Sequence, residues 1–138
     1  MSSLGYIWCM SKEILVNGEI VSGKKLGTKL GFPTVNIKYR GSESGVFAGE
    51  ILLGGKWFKS VIHVGKKPTI VDKEICCEVH ILEFSSVAER EIFSGRKVSV
   101  RFMKKIRNTK KFKNLDELKE KISRDVEFAK SWYNLRKL

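Results

Sequence analysis

Cysteine is scarce in this chain. Cys9, Cys76 and Cys77 are the three among 138 residues, too few and too badly placed for a disulfide framework. Cys76 and Cys77 are adjacent, so on a strand their side chains point to opposite faces. They also lack metal-ligand spacing. Such usage fits a reducing compartment, and a cytoplasmic location is expected. Long apolar runs are missing as well, which excludes a helical membrane span. Residues 1–11 include Leu4, Tyr6, Ile7 and Trp8, but a positive flank and a long apolar core are lacking, so they do not form a signal peptide. They read as an N-terminal extension, expected to be disordered, ahead of a single domain over 12–138. No internal repeat, low-complexity stretch or linker divides that domain. There is no βαβ alternation, which excludes Rossmann and P-loop folds.

Acidic residues are outnumbered. Against 27 Lys and Arg stand 15 Asp and Glu, a formal net charge of +12. Anionic partners are implied, without a choice among phosphates, nucleic acid and membrane surface. The lysines gather at 24–29, 66–67 and 104–113. A single-strand-binding surface interleaves aromatics with its cations, and here only Phe112 and Phe32 lie near a cluster. A non-catalytic basic barrel binding RNA or single-stranded DNA is nevertheless the main alternative from a different functional class.

What is present reads as short strands followed by one helix. Residues 13–21 form a strand interrupted at Asn17-Gly18, a turn or bulge signal. Residues 34–39 are strand-like, and 46–53 and 56–64 are β-rich runs joined by Gly54-Gly55, a tight-hairpin signal. Over 75–84 the residues alternate, with Ile75, Cys77, Val79 and Ile81 on one face and Cys76, Glu78, His80 and Leu82 on the other. Residues 85–95 allow one or two helical turns ending at Gly95. Val98, Val100 and Phe102 then alternate in a strand running to Arg107. Asn114 caps a helix over 115–135, with Asp116 and Glu117 in its first turn. Its apolar stripe is Leu115, Leu118, Ile122, Val126, Ala129 and Tyr133. The fold class expected is mainly β: a small six-stranded antiparallel barrel with one C-terminal α-helix packed against it.

The chemistry concentrates in the stretch 23–36, Gly-Lys-Lys-Leu-Gly-Thr-Lys-Leu-Gly-Phe-Pro-Thr-Val-Asn. Its first part suits a loop whose amides and lysines face an anion. Pro33 then stiffens the entry to a short strand, and Thr34 and Asn36 project neutral oxygens from one face. The partial Walker A match at 18–25 is false, because Lys25 stands where a magnesium-binding hydroxyl belongs and no helix follows.

The string around Leu26-Gly27…Pro33-Thr34-Val35-Asn36 resembles the nucleotide loop of the riboflavin kinase (flavokinase) family. Three further stretches resemble it in register: Gly45-Val46-Phe47-Ala48-Gly49, Cys77-Glu78-Val79-His80-Ile81-Leu82-Glu83-Phe84, and the pattern Ile106-Arg107…Lys111-Phe112…Leu115…Leu118…Ile122…Asp125…Ala129. Together they cover most of residues 17–129. The resemblance implies Greek-key connections in the barrel and transfer of the γ-phosphate of ATP to riboflavin, giving FMN. Small-molecule substrates, no membrane, no nucleic acid and a monomer are then expected. A flavin-binding or regulatory descendant without turnover is a third reading, disfavoured because Thr34, Asn36 and Glu78 are all present.

Phosphoryl transfer to a primary alcohol needs in-line geometry, neutralised γ-phosphate charge and a destination for the hydroxyl proton. The ATP-binding candidates are Gly23, Lys24, Lys25, Gly27, Lys29, Gly31, Phe32, Pro33, Thr34 and Asn36. Thr34 Oγ1 and the Asn36 amide oxygen are the candidate ligands for Mg²⁺, which such a carboxylate-poor site would hold as the nucleotide complex. Glu78 falls where the family has its catalytic Glu and is the candidate base. His80 shares its face but is given no catalytic role, since a lone histidine is more often a hydrogen-bonded structural residue. Arg107, Asn108 and Phe112 are the flavin-binding candidates, while Trp132 and Tyr133 stay open between core and pocket wall. The chain departs from the family at Thr28, where Arg is common, and at Lys67, where Asn is usual. Many bacterial relatives add a nucleotidyltransferase half with a His-x-Gly-His motif. Neither His63 nor His80 lies in one, so this 138-residue chain is expected to stop at FMN.

Overall fold

Apolar residues at every second position give each strand one face to hide, and six such strands solve the problem by closing on themselves. The computed structural model describes residues 13–24, 33–39, 43–66, 75–83, 86–109 and 111–136, with Ser22, Gly23, Lys24, Lys66, Ile75, Cys76, Val87 and Leu115 described by their backbone. Its elements are β1 (Ile14–Lys24), β2 (Thr34–Lys38), β3 (Gly45–Leu53), β4 (Lys56–Lys66), β5 (Ile75–Ile81), α1 (Ser86–Glu91), β6 (Lys97–Arg107) and α2 (Leu115–Arg136). The strands form a closed barrel in the order β1-β2-β5-β4-β3-β6. Every neighbouring pair is antiparallel. Strands β3, β4 and β5 follow one another around the wall, and β2 lies beside β5, the arrangement of a Greek key.

Inside the barrel pack Val35 and Ile37, Phe47 and Ile51, Phe58 and Ile62, Cys77 and Val79, and Val100 and Phe102, joined by Ala88 and Ile92 from the α1 region. The Phe47 and Phe102 rings stack with centroids 5.0 Å apart. The β3–β4 hairpin turns at Gly54 and Gly55, whose φ values of 58° and 79° are those of the primed turns that match strand twist.

Helix α2 lies on the outside of the wall. Val126, Ala129 and Tyr133 bury against Val46 and Ala48 of β3 and Val61 of β4. Its N-terminus is capped as the sequence suggests, the Glu117 amide donating to Asn114 Oδ1 at 2.8 Å. Tyr133 belongs to this core. Its hydroxyl donates to the Gly49 and Ser60 carbonyls, and burial pushes its pKa well above the ordinary phenol value.

The interruption expected at Asn17-Gly18 is not there. Asn17 and Gly18 sit inside β1, paired with Ser99 and Val98, and Asn17 Oδ1 accepts from the Ser99 hydroxyl at 2.7 Å. The glycine serves a close approach instead of a turn, because a Cβ at Gly18 would stand 2.5 Å from Ile37 Cγ2. The irregularity falls between Ile20 and Ser22. There the Ile20 backbone bonds to Arg96 O and Gly95 N, both at 2.8 Å. Strand β5 also ends earlier than the alternation suggests, at Ile81, with Phe84 outside the described residues. Residues 1–12, which hold the N-terminal extension, lie outside them too.

Candidate active site

Strands β2 and β5 are neighbours, and their register sets Thr34 opposite His80 and Asn36 opposite Glu78. On the other side of β5, His63 of β4 is opposite Glu78. Since Val35, Ile37, Cys77, Val79 and Ile62 point into the barrel, the alternating residues Thr34, Asn36, His63, Glu78 and His80 share its outer wall. Backbone bonds fix the end of this patch. The Ile81 amide donates to Pro33 O, and the Leu82 amide to Lys59 O, each at 2.9 Å.

Three of these side chains touch in a row. Thr34 Oγ1 is 3.3 Å from His80 Nδ1, and His80 Nε2 is 3.4 Å from Glu78 Oε1. Thr34 and His80 are buried, whereas the Glu78 side chain is 41 % exposed. The row of contacts therefore runs from two buried side chains to a partly exposed carboxylate. Burial lowers the His80 pKa below the usual imidazole value, outweighing the opposing pull of Glu78, and His63 lowers it further. Burial likewise lowers the His63 pKa, again against Glu78. With the ring uncharged near neutrality, the His80–Glu78 contact is a hydrogen bond, not an ion pair.

The flavin candidates gather where β6 meets α2. Arg107 grips the buried Asp125 carboxylate through Nε, at 3.0 and 3.2 Å, and through a terminal nitrogen at 2.8 Å. It also donates to Asn108 O at 3.1 Å, and its Cζ lies 5.8 Å from the Phe112 ring centroid. Asn108 is exposed and Phe112 half-buried. Asp125 also acts electrostatically on both His63 and His80, so α2 brings this corner alongside the outer-wall patch.

Of the nucleotide-loop candidates, Lys25, Gly27, Lys29, Gly31 and Phe32 lie outside the described residues, as do Thr28 and Lys67. Gly23 and Lys24 end β1, paired with Val35 and Thr34. Strand β1 thus ends beside Thr34. For a metal, Thr34 Oγ1 and the Asn36 amide oxygen are hard neutral donors on one face. No cluster of three or more His, Cys, Asp or Glu able to hold a metal occurs among the described residues. That donor set fits Mg²⁺ arriving with a nucleotide better than a permanently held ion.

Sequence reasoning set His80 on the face of Glu78 but gave it no role, and it gave none to His63 or Asp125. That His63 stands opposite Glu78 became visible only once strand order was known. Asp125 left a clearer trace: it interrupts the apolar stripe between Ile122 and Ala129 (three and four residues away), where an acid must find a buried partner.

The family model for riboflavin kinase (Flavokinase) matches residues 10–133. The chain belongs to the riboflavin kinase family. It is 39% identical over 129 residues to the bifunctional riboflavin kinase/FMN adenylyltransferase of Haemophilus influenzae, covering 91% of this chain and 40% of that protein. The Escherichia coli K12 enzyme of the same description is 38% identical over 126 residues, covering 88% and 39%. The RNA-binding riboflavin kinase RibR of Bacillus subtilis is 32% identical over 115 residues, covering 81% and 48%. The chain thus spans about two fifths of the length of the bifunctional relatives. Among solved structures, a macrolide-efflux protein from Streptococcus pneumoniae superposes with a TM-score of 0.67 at 25% identity, covering 86% of this chain and 38% of that one. The stretches that resemble the riboflavin kinase family fall on the entry to β2, on β3, on β5 and on the β6–α2 corner. No helix among the described residues is long and apolar enough to cross a membrane.

Proposed function

We propose that the chain transfers the γ-phosphate of Mg-ATP to the ribityl 5′-hydroxyl of riboflavin, giving FMN and ADP. The observation that carries this reading is the cross-strand register, which sets Asn36 opposite Glu78 and Thr34 opposite His80 on a barrel of the riboflavin kinase family. The ribityl hydroxyl oxygen attacks the γ-phosphorus in line, its proton passing to the Glu78 carboxylate as the bond from phosphorus to the ADP oxygen breaks. Glu78 combines the exposure needed to meet the alcohol with a contact to His80. Thr34 Oγ1 and the Asn36 amide oxygen would hold the nucleotide's metal, which supplies neutralisation of the β- and γ-phosphate charge. Lys24, Lys25 and Lys29, with the amides of Gly23, Gly27 and Gly31, add positive potential around the polyphosphate, and Phe32 and Pro33 complete the loop. Arg107, Asn108 and Phe112 border the flavin. Small-molecule substrates, a monomeric state, cytoplasmic location and a domain spanning 12–138 belong to the same reading.

The test is incubation of the purified chain with riboflavin and ATP plus Mg²⁺, with FMN read by chromatography. If no FMN forms with ATP, CTP or GTP in the presence of Mg²⁺, Mn²⁺ or Zn²⁺, the kinase reading is lost. A second reading, binding of RNA or single-stranded DNA, is supported by the +12 charge and the likeness to RibR. It is weaker because it gives no reason for Thr34, Asn36 and Glu78 to converge. A gel shift that vanishes when Lys104 and Lys105 become Glu would favour it.

A further inference from the structure

The candidate base and the flavin corner lie on strands that are not neighbours. Register links them in one row across the outer wall. Glu78 of β5 is opposite His63 of β4, His63 is opposite Val46 of β3, and Val46 is opposite Arg107 of β6. Neighbouring strands stand about 4.8 Å apart, so the steps along this row separate the Glu78 and Arg107 backbones by roughly 14 Å. Six single bonds of about 1.5 Å carry a ribityl chain roughly 7 Å from the ring nitrogen to the 5′-oxygen. A flavin whose 5′-hydroxyl meets Glu78 and whose ring lies towards Arg107 and Phe112 therefore lays its polyol across β4.

Val46 is covered there, buried with Val126 and Ala129 of α2. On β4 the same-face neighbours of His63 are Val61, also buried, and Gly65, which has no side chain. A Cβ at Gly65 would stand 3.3 Å from His63 Cε1 and 3.1 Å from Thr109 Cγ2. The segment after Arg107 thus comes over β4 beside the imidazole. Arg107, Asp125 and Glu78 all act electrostatically on His63. This half-buried polar side chain stands between base and corner.

We propose that His63 is a binding residue for the ribityl chain, its imidazole hydrogen-bonding the 2′- or 3′-hydroxyl, so that the site selects riboflavin by its polyol. This role rests on the kinase reading above, which gives Glu78 and the Arg107 corner their parts. The 2′- and 3′-carbons lie roughly 4–5 Å along the extended chain from the 5′-oxygen, one strand spacing from the base. A hydroxyl both donates and accepts. An imidazole nitrogen therefore finds a partner in it whichever tautomer or charge the ring carries. Val46 and Val61 offer only apolar contact, which tells a hydroxyl from a hydrogen poorly, whereas a hydrogen bond to that hydroxyl discriminates.

Flavin fluorescence titration of the full chain reads this contact, with riboflavin, 2′-deoxyriboflavin, 3′-deoxyriboflavin and lumiflavin (the ring system without the polyol) as ligands. Losing one hydrogen bond to a half-buried group weakens binding about 3- to 10-fold. The wild type should bind at least one deoxy analogue more weakly than riboflavin by that factor. His63→Leu should bind riboflavin and that analogue equally, and lumiflavin as the wild type does. His63→Gln keeps a donor and an acceptor and should retain a preference for riboflavin. In turnover, His63→Leu should raise the KM for riboflavin about 3- to 10-fold and leave the KM for ATP unchanged.

Affinity ratios that are the same in the wild type and His63→Leu for both deoxy analogues overturn the proposal. So does a lumiflavin affinity that falls as far as the riboflavin affinity, which would assign His63 to the shape of the ring pocket. If His63→Leu does not fold, the wild type decides through the ring signals of the ¹⁵N-histidine-labelled chain, assigned by their absence in His63→Gln. At saturation the His63 signals should differ between riboflavin and at least one deoxy analogue, and identical signals with all three overturn the contact. A wild type that neither binds riboflavin nor forms FMN removes the kinase reading, and this role falls with it. A wild type that forms FMN, with affinity ratios indifferent to His63, removes this proposal alone.

Discussion

Replacing Asp125 by Ala should unfasten α2 from the barrel. The carboxylate is 4 % exposed and its partner Arg107 14 % exposed, and three nitrogen-to-oxygen contacts of 2.8–3.2 Å join them. Removing one partner leaves a guanidinium that has already lost most of its water. Breaking a buried pair in this way costs about 3–5 kcal/mol, a large part of the roughly 5–15 kcal/mol that holds an ordinary domain together. For a chain of this size each kcal/mol shifts the melting temperature by about 3–5 °C, so Tm should fall by roughly 10–20 °C. Replacing both Arg107 and Asp125 by Leu should recover most of the loss, because apolar pairs of similar volume often match a buried ion pair. Urea unfolding followed by tryptophan fluorescence measures both variants and their coupling. Since Arg107 also contacts Asn108 and lies beside Phe112, the KM for riboflavin should rise in Asp125→Ala more than the KM for ATP. A loss below about 1 kcal/mol would mean that water screens the pair and that α2 is held by its apolar stripe alone.

Glu78→Gln should lower kcat on the order of 10²–10⁴-fold with little change in riboflavin binding, as read by steady-state kinetics and flavin fluorescence titration; near-normal turnover would make Glu78 a surface residue. Thr34→Ala and Asn36→Ala should each raise the Mg²⁺ concentration for half-maximal rate at fixed ATP while the circular dichroism spectrum stays unchanged; unfolding with no change in metal demand would refute the ligand roles. His63 and His80 both have folded-state pKa values lowered chiefly by burial, so below about pH 6.5 the unfolded chain binds protons that the folded chain resists. Stability should therefore be full above that pH and decline as pH falls towards and through the lowered values. Urea midpoints between pH 8 and 5 test this, and the decline should flatten when both histidines become Gln. Supplied with FMN, ATP and Mg²⁺, this chain by itself should release no pyrophosphate and form no FAD over many turnovers; steady FAD production would reveal a second activity.

The local elements were legible because their signals are local. Alternation over 75–84 marked β5, Gly54-Gly55 marked the hairpin, and the stripe through Ile122, Val126, Ala129 and Tyr133 marked the face of α2 that now covers β3 and β4. The residue strings at 33–36 and 77–84 also pointed to a family and to Thr34, Asn36 and Glu78. Asn17-Gly18 misled because glycine answers two different needs, a turn or a close approach. Only the packing of Ile37 against it distinguishes them.

By itself, then, the sequence determined periods, turns and the residue types proposed for phosphoryl transfer, all properties of neighbours along the chain. Strand order and register were decided by tertiary structure. Closing the barrel in the order β1-β2-β5-β4-β3-β6 brings Thr34 to His80 across 46 residues and Arg107 to Asp125 between strand and helix. No periodicity encodes which strand lies beside which. That choice follows from burying all the apolar faces at once, and the polar outer-wall site is what the same choice leaves facing α2 and solvent.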